Sequence, residues 1–508
     1  MSGHTLRVPP LHKTIAIGSS PWKLALALGA IGVVSRWLLH GRLLYDQQAA
    51  ALAFAARGTP TDDMAASGAG LLYLSLGRLL IALLGSPELA FAAISAVASG
   101  LAVIVMYALG AAIFGEIAGV LAAMLLLSSP LFWFYGAASQ PYAVDVLIGC
   151  SAALISWRLA CGHTRLALPL LLGLALAIGL RPWPALLMLP LALFALAQAR
   201  ADGALRAVQL ARWLLASLLF GAIWFLPIGR LPGRWPSLDG LLDWSFDPSG
   251  FVWMLIWGWG FAALPALGAL PLWALRIPGF RSGFGRWSWL YNRRLHFFVA
   301  WGLPWLLSAL LVRGDAIGRP ALGMPIFMLW SAGAMASFIG AGVRRMATIA
   351  ATLIILVNAA LFLVTPEYRM LGAQRVPSAA TILYRDRRLA AAITTIRNFS
   401  ASETVIVADD WLPVSYYLPT YALIPYRATG LPSNSVETPS PEHQAVAQQS
   451  AALVWFEATL DRYNASPDKT ETRPMAIGTL RLLRPQPSEE LVLDQTGFGL
   501  HIKPALRK

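Results

Sequence analysis

A small set of ionisable residues in a largely apolar chain has the chemistry for a group transfer. Asp46 stands alone in Leu43-Leu-Tyr-Asp46-Gln-Gln, just past the first long apolar run, and opens a segment that closes at Arg57. Asp145 follows Ser139-Gln-Pro-Tyr-Ala-Val, Arg181 sits in Gly179-Leu-Arg-Pro-Trp-Pro184, and Arg313, Asp315 and Arg319 share one short turn. A carboxylate can deprotonate an incoming hydroxyl or amine, and a guanidinium binds phosphate through a matching fork of donors. Together they suit a phosphate-bearing substrate. Each also has a plainer reading. Asp46 would be a solvated carboxylate beside a membrane, and Asp145 an acid that complements a helix dipole. Arg181 would be a snorkelling residue at a hairpin tip, and the 313–319 turn an ordinary polar loop.

The elements that hold these residues are set by composition. Of 508 residues, 57% are hydrophobic and 13% charged, with a mean hydropathy of +0.62, values that point to an integral membrane protein. Ionisable groups near its apolar core are expensive unless they face a cavity or a partner, so they mark sites. The net charge of +14 is spread over short loops and forms no stripe. This fits lipid headgroups and argues against nucleic acid. Cys150 and Cys161 supply neither a disulfide framework nor a metal spacing, and the sequence contains no Walker loop, GxGxxG or HExxH. No cofactor and no metal are expected.

Apolar runs of spanning length fall near 21–39, 89–113, 117–135, 142–160, 166–180, 183–199, 208–228, 250–275, 295–312, 320–340 and 345–365, about eleven transmembrane helices. Segment 68–85 is also apolar, but counting it as a span would invert every later loop. With it lying in the interface, Arg7, Lys13, Lys23, Arg165, Arg200, Arg206, Arg212, Arg276 and the arginines at 281–294 and 344–345 share one side. The other set carries Arg42, Arg57, Arg78, Arg230, Arg234, Arg313 and Arg319. The positive-inside bias makes the first side cytoplasmic. The expected organisation is a cytoplasmic tail over 1–20, leading into an uncleaved first span. A transmembrane domain follows over 21–365, with interfacial helices in the first outer loop, 40–88. From 366 to 508 the chain turns polar, with a helical stretch around 379–398 and strand-like runs at 404–408, 452–456, 480–483 and 491–493, which predicts a small extracytoplasmic α/β domain. Asp46, Asp145, Arg181 and the 313–319 turn then share the outer face.

The order of these parts resembles the GT-C superfamily of polyprenyl-phosphate-sugar glycosyltransferases, in the branch of protein O-mannosyltransferases and the lipid A aminoarabinose transferase. The matching pieces are Tyr45-Asp46, Leu72-Tyr-Leu-Ser-Leu-Gly-Arg78, Phe114-Gly115, Ser129-Pro-Leu-Phe-Trp-Phe-Tyr135, Tyr142-Ala-Val-Asp145 and Gly179-Leu-Arg-Pro182, and they cover about residues 20–340. The resemblance implies transfer of a sugar from a polyprenyl-phosphate donor to a lipid, glycan or protein acceptor. The setting it implies is the outer face of a bacterial inner membrane, with membrane lipids as further partners. It makes Asp46 the general base, with Asp145 as a second catalytic acid. Arg181 would hold the lipid phosphate with Arg313 or Arg319, and Tyr73 and Tyr142 would line the substrate site. Two pieces depart from the pattern: Gln47 and Gln48 follow Asp46 where a second acid is common, and Ala65-Ala-Ser-Gly-Ala-Gly70 replaces a proline-rich turn. Tryptophans such as Trp235, Trp244, Trp253, Trp257 and Trp259 would line a lipid groove or form the headgroup belt.

Two other classes compete. A transporter or lipid flippase predicts inverted repeats and broken helices at mid-membrane; the sequence shows no such repeat, and its polar residues gather at one face and not at the midplane. A non-catalytic scaffold predicts that Asp46 and Arg181 are freely replaceable.

Overall fold

A computed structural model of the chain describes residues 19–45, 47–57, 69–203, 205–224, 255–265, 293–311, 319–340 and 344–367. In the C-terminal region it describes 370–371, 374–375, 377–398, 404–407, 411–424, 452–456, 470–474, 479–483, 489–493 and 500–504. The helices in chain order are α1 (Ser19–Leu38), α2 (Gln47–Arg57), α3 (Leu71–Leu84), α4 (Pro87–Phe114), α5 (Glu116–Ser128), α6 (Pro130–Ala137) and α7 (Tyr142–Ala160). They continue with α8 (Ala167–Leu180), α9 (Pro182–Leu187), α10 (Leu189–Ala201), α11 (Ala207–Ile223), α12 (Arg293–Leu311), α13 (Arg319–Gly340) and α14 (Arg344–Val364).

The chain is a polytopic helical membrane protein. Among the described residues, α4, α7, Pro182–Ala201 and Arg345–Val364 are each long and apolar enough to cross a bilayer. The α5–α6 pair, bent by 62°, makes a fifth span if it is counted as one. Shorter apolar helices occupy several of the remaining runs, and most of the run at 250–275 lies outside the described residues.

Local chemistry explains where the central helices begin. Ser86 accepts from the Leu89 N–H and Pro87 takes the first position of α4, with Glu88 in its first turn, so cap, fixed φ and dipole agree. Ser129 repeats the device, accepting from Phe132 with Pro130 behind it, and this fresh start bends α6 away from α5. Helix α4 is the hub, packed by α1, α5 and α7. A Cβ at Gly100 would lie 2.6 Å from the Gly29 carbonyl oxygen, so α1 and α4 touch backbone to backbone, a contact only small residues allow between apolar helices. Arg36, fully buried near the end of α1, stacks its guanidinium 4.8 Å from the Trp133 ring and donates to the Leu127 carbonyl at 2.7 Å. It ties α1 to the α5–α6 bend. Trp259 donates to Ser331 Oγ at 2.6 Å and packs 4.5 Å from Phe327, a core role. Trp235, Trp244 and Trp253 lie outside the described residues.

The C-terminal region begins with a short hairpin, β1 (Met370–Leu371) and β2 (Gln374–Arg375), followed by α15 (Ala379–Ile396), which is capped by Ser378 on the Thr381 N–H. Next come β3 (Thr404–Val407), α16 (Trp411–Tyr417), β4 (Ala422–Ile424), β5 (Ala452–Phe456), β6 (Thr470–Pro474), β7 (Thr479–Leu483), β8 (Glu489–Leu493) and β9 (Leu500–Pro504). Strands β3 to β7 form a mixed sheet in the order β4-β3-β5-β7-β6, with β3 parallel to both neighbours and β7 antiparallel to β5 and β6.

Candidate active site

Helix α2 starts the site, and it is buried along most of its length. Ala49 to Ala53, Ala55 and Ala56 are all buried, because α2 lies between α3 and α16. Alanine favours helix and lets both neighbours approach closely. Arg78 of α3 fastens one end, donating to the Ala55 and Ala56 carbonyls at 3.1 and 3.0 Å.

Asp145 and Arg181 come from separate helices and meet. Asp145 lies in the first turn of α7. Arg181 is the extended residue between α8 and α9, with φ −148° and ψ 95°, because Pro182 behind it disfavours the helical conformation. Its Nε donates to Asp145 Oδ1 at 2.7 Å and its Nη2 to Oδ2 at 3.0 Å, a bidentate pair. Both residues are buried, 7% and 2% exposed, where such a pair survives only because the charges and donors match.

Two tyrosines complete the surroundings. The Tyr142 ring lies 5.8 Å from the Arg181 guanidinium carbon and 4.9 Å from Tyr135, and its hydroxyl donates to Gln48 Oε1 of α2. Tyr73 of α3 is fully buried and stacked 6.0 Å from Phe91, its hydroxyl lacking a partner among the described residues. Burial pushes its phenol well above the ordinary range, with Arg181 opposing and Asp145 reinforcing, so at neutral pH it keeps its proton. Helix α3 reaches this position because the Gly70 N–H bonds the Leu180 carbonyl at 2.8 Å. A Cβ on Gly70 would collide with the Gly179 carbonyl oxygen.

Of the sequence candidates, Asp145, Arg181, Tyr142 and Tyr73 are thus gathered in one place. Asp46 lies outside the described residues, as do Arg313 and Asp315; Arg319 begins α13, and its side chain is outside the description. Gln48, read in the sequence only as a departure from an acidic pair, is the residue that joins α2 to Tyr142. Glu88, Asp386 and Tyr417, which hold the loop before Asp46, carried no sequence signal at all. No group of three or more His, Cys, Asp or Glu residues is gathered for a metal ion among the described residues.

The family model described as dolichyl-phosphate-mannose-protein mannosyltransferase matches residues 70–229, the stretch that contains Tyr73, Tyr142, Asp145 and Arg181. The fold is similar to ArnT from Cupriavidus metallidurans, solved in the apo state and bound to undecaprenyl phosphate, with TM-scores of 0.57 and 0.55. Identity is 11% in both, over 91% of this chain and 98% of that one. The oligosaccharyltransferase of Archaeoglobus fulgidus in its apo form has a TM-score of 0.47, at 12% identity over 86% of this chain and 69% of that one. No curated protein sequence matches. At 11% identity it is the fold that this chain shares with ArnT.

Proposed function

We propose that this protein is a GT-C-type membrane glycosyltransferase that moves a sugar from a polyprenyl-phosphate donor to an acceptor on the outer face of the membrane. Asp46 takes the proton of the acceptor hydroxyl or amine as that group attacks the anomeric carbon. The bond from the anomeric carbon to the phosphate oxygen breaks, its electrons stay on that oxygen, and polyprenyl phosphate leaves. Arg181 balances the charge that gathers there, which helps most in the transition state. Asp145 acts on Arg181, fixing its guanidinium in one orientation, and Tyr73 supplies a neutral donor beside it. Arg313 and Arg319 join as further phosphate contacts. The acceptor is a lipid, glycan or protein, and residues 366–508 form an extracytoplasmic domain over the site.

The observation that carries this reading is the hydrogen bond from Tyr142 to Gln48. It links the residue two places after Asp46 to the helix turn that holds Asp145, and so to the Asp145–Arg181 pair. The bound undecaprenyl phosphate of ArnT is consistent with a lipid-phosphate donor. The test uses radiolabelled polyprenyl-phosphate hexoses, with membrane extract supplying acceptor. Asp46→Asn lowers transfer by about 10²–10⁴-fold, the worth of a positioned base. Arg181→Ala raises the donor concentration needed for half-maximal transfer, and an unchanged donor dependence would remove Arg181 from the phosphate.

A further inference from the structure

Three consecutive backbone N–H groups just before Asp46 are held by side chains from the far end of the chain. Asp386 of α15 accepts from Arg42 N at 2.6 Å through Oδ2 and from Leu43 N at 3.1 Å through Oδ1, across 344 and 343 residues of sequence. Tyr417, which ends α16, accepts from Leu44 N at 2.9 Å and donates its own hydroxyl to Glu88 Oε1 at 2.7 Å. Glu88 sits in the first turn of α4, a helix with its own cap and a buried face, so the chain Leu44–Tyr417–Glu88 is anchored on the end of the central helix.

The neighbouring contacts point the same way. Gly41 N bonds the Ala137 carbonyl at 3.2 Å, and a Cβ at Gly41 would come 2.7 Å from the Tyr45 ring and 3.4 Å from Asp386 Oδ1. Arg385 lies 5.6 Å from the centroid of the Tyr45 ring and 5.8 Å from that of Phe134. Leu44 and Tyr45 are buried. A loop normally satisfies such donors with water or its own side chains. Here α15 and α16 supply every acceptor for residues 42–44, and the next residue but one is Asp46.

We propose that Asp386 and Tyr417 are positioning residues, which clamp the backbone of 42–44 and thereby fix where Asp46 stands relative to Arg181. This rests on the reading of Asp46 as the base. In the clamp the Asp386 carboxyl group has one oxygen for each N–H. The substitution Asp386→Asn leaves a single oxygen and turns an amide donor toward the other N–H, so even an isosteric change breaks the clamp.

Two measurements on the full-length protein in lipid nanodiscs test this. In the first, hydrogen exchange of the peptide spanning residues 39–46 is expected to quicken about 10- to 100-fold in Asp386→Asn and in Tyr417→Phe, with α7 and α8 unchanged. Unchanged exchange at 42–44 in both variants overturns the clamp, whatever Asp46 does. In the second, with the same radiolabelled donors and membrane extract, Asp386→Asn is expected to lower kcat by about 10²-fold, the cost of a roughly 1 Å misplacement, with the donor KM within twofold. In an Asp46→Asn background it costs nothing further, because what it positions is gone. Full additivity of the two losses, or a rise in donor KM in place of the fall in kcat, overturns the positioning role. If Asp46→Asn alone keeps wild-type transfer, the reading of Asp46 has failed, and the exchange result still decides the clamp. Tyr417→Phe, which keeps the ring and removes one hydroxyl, serves where Asp386→Asn does not fold.

Discussion

The Asp145–Arg181 pair is where burial and chemistry meet most sharply. Two opposite charges, both nearly fully buried and joined by two hydrogen bonds, are tolerable together and costly apart. Asp145→Ala leaves a buried guanidinium without its counter-ion and is expected to cost about 3–5 kcal/mol. Asp145→Leu combined with Arg181→Met removes both charges and is expected to recover most of that loss. Thermal unfolding in detergent compares them, and equal destabilisation by the single and double changes would refute the pairing. In the double variant transfer stays absent, which separates stability from the phosphate role. The pair's members were legible in the sequence because ionisable residues are conspicuous in apolar runs. Their union was not, because 36 residues separate them and no local spacing records which helices will be neighbours. Gln48 hides for a related reason: a neutral amide after Asp46 looks like a missing acid until its partner, Tyr142, is known.

Among the elements, the entry to α3 is the tightest point. The Gly70 backbone packs against the Gly179 carbonyl so closely that a methyl group cannot fit, and the same approach lets Gly70 N bond Leu180. Gly70→Ala is expected to push α3 away from the Arg181 turn at a cost of about 1–3 kcal/mol, the usual range for overpacking. It would carry Tyr73 away from the ion pair. Circular dichroism melts give the stability change, and a melt within error of wild type would show that the turn yields easily. Helix α2 marks the limit of pattern reading. Its alanines and terminal charges fit a surface helix, yet α16, more than 350 residues later in the sequence, covers the face that would have met solvent or lipid. Periodicity reports how apolar a helix is; it cannot report a partner from the far end of the chain.

For the whole molecule, the charge asymmetry between loops makes a topological prediction that the native cysteines can test. Cys161 is exposed at the end of α7, in the short connection to α8 that carries Arg165, and Cys150 is buried in the same helix. The positive-inside bias predicts a cytoplasmic place for that connection. A membrane-impermeant maleimide is therefore expected to label Cys161 in inverted vesicles and not in intact spheroplasts, and Cys150 in neither. Labelling in spheroplasts would turn the protein over and move Asp145 and Arg181 to the other face. The membrane setting, the main helices and several C-terminal strands could all be read from composition and periodicity. What only three dimensions supply is the way the polar region after 366 returns to hold the loop before Asp46.

Transfer from a lipid phosphate with Asp46 as base is decided by counting both products. Wild-type protein with a radiolabelled polyprenyl-phosphate hexose and membrane extract is expected to release polyprenyl phosphate in step with sugar transferred to acceptor, with both falling about 10²–10⁴-fold in Asp46→Asn. Sugar transfer at the wild-type rate in Asp46→Asn, or transfer without release of polyprenyl phosphate, would contradict the account.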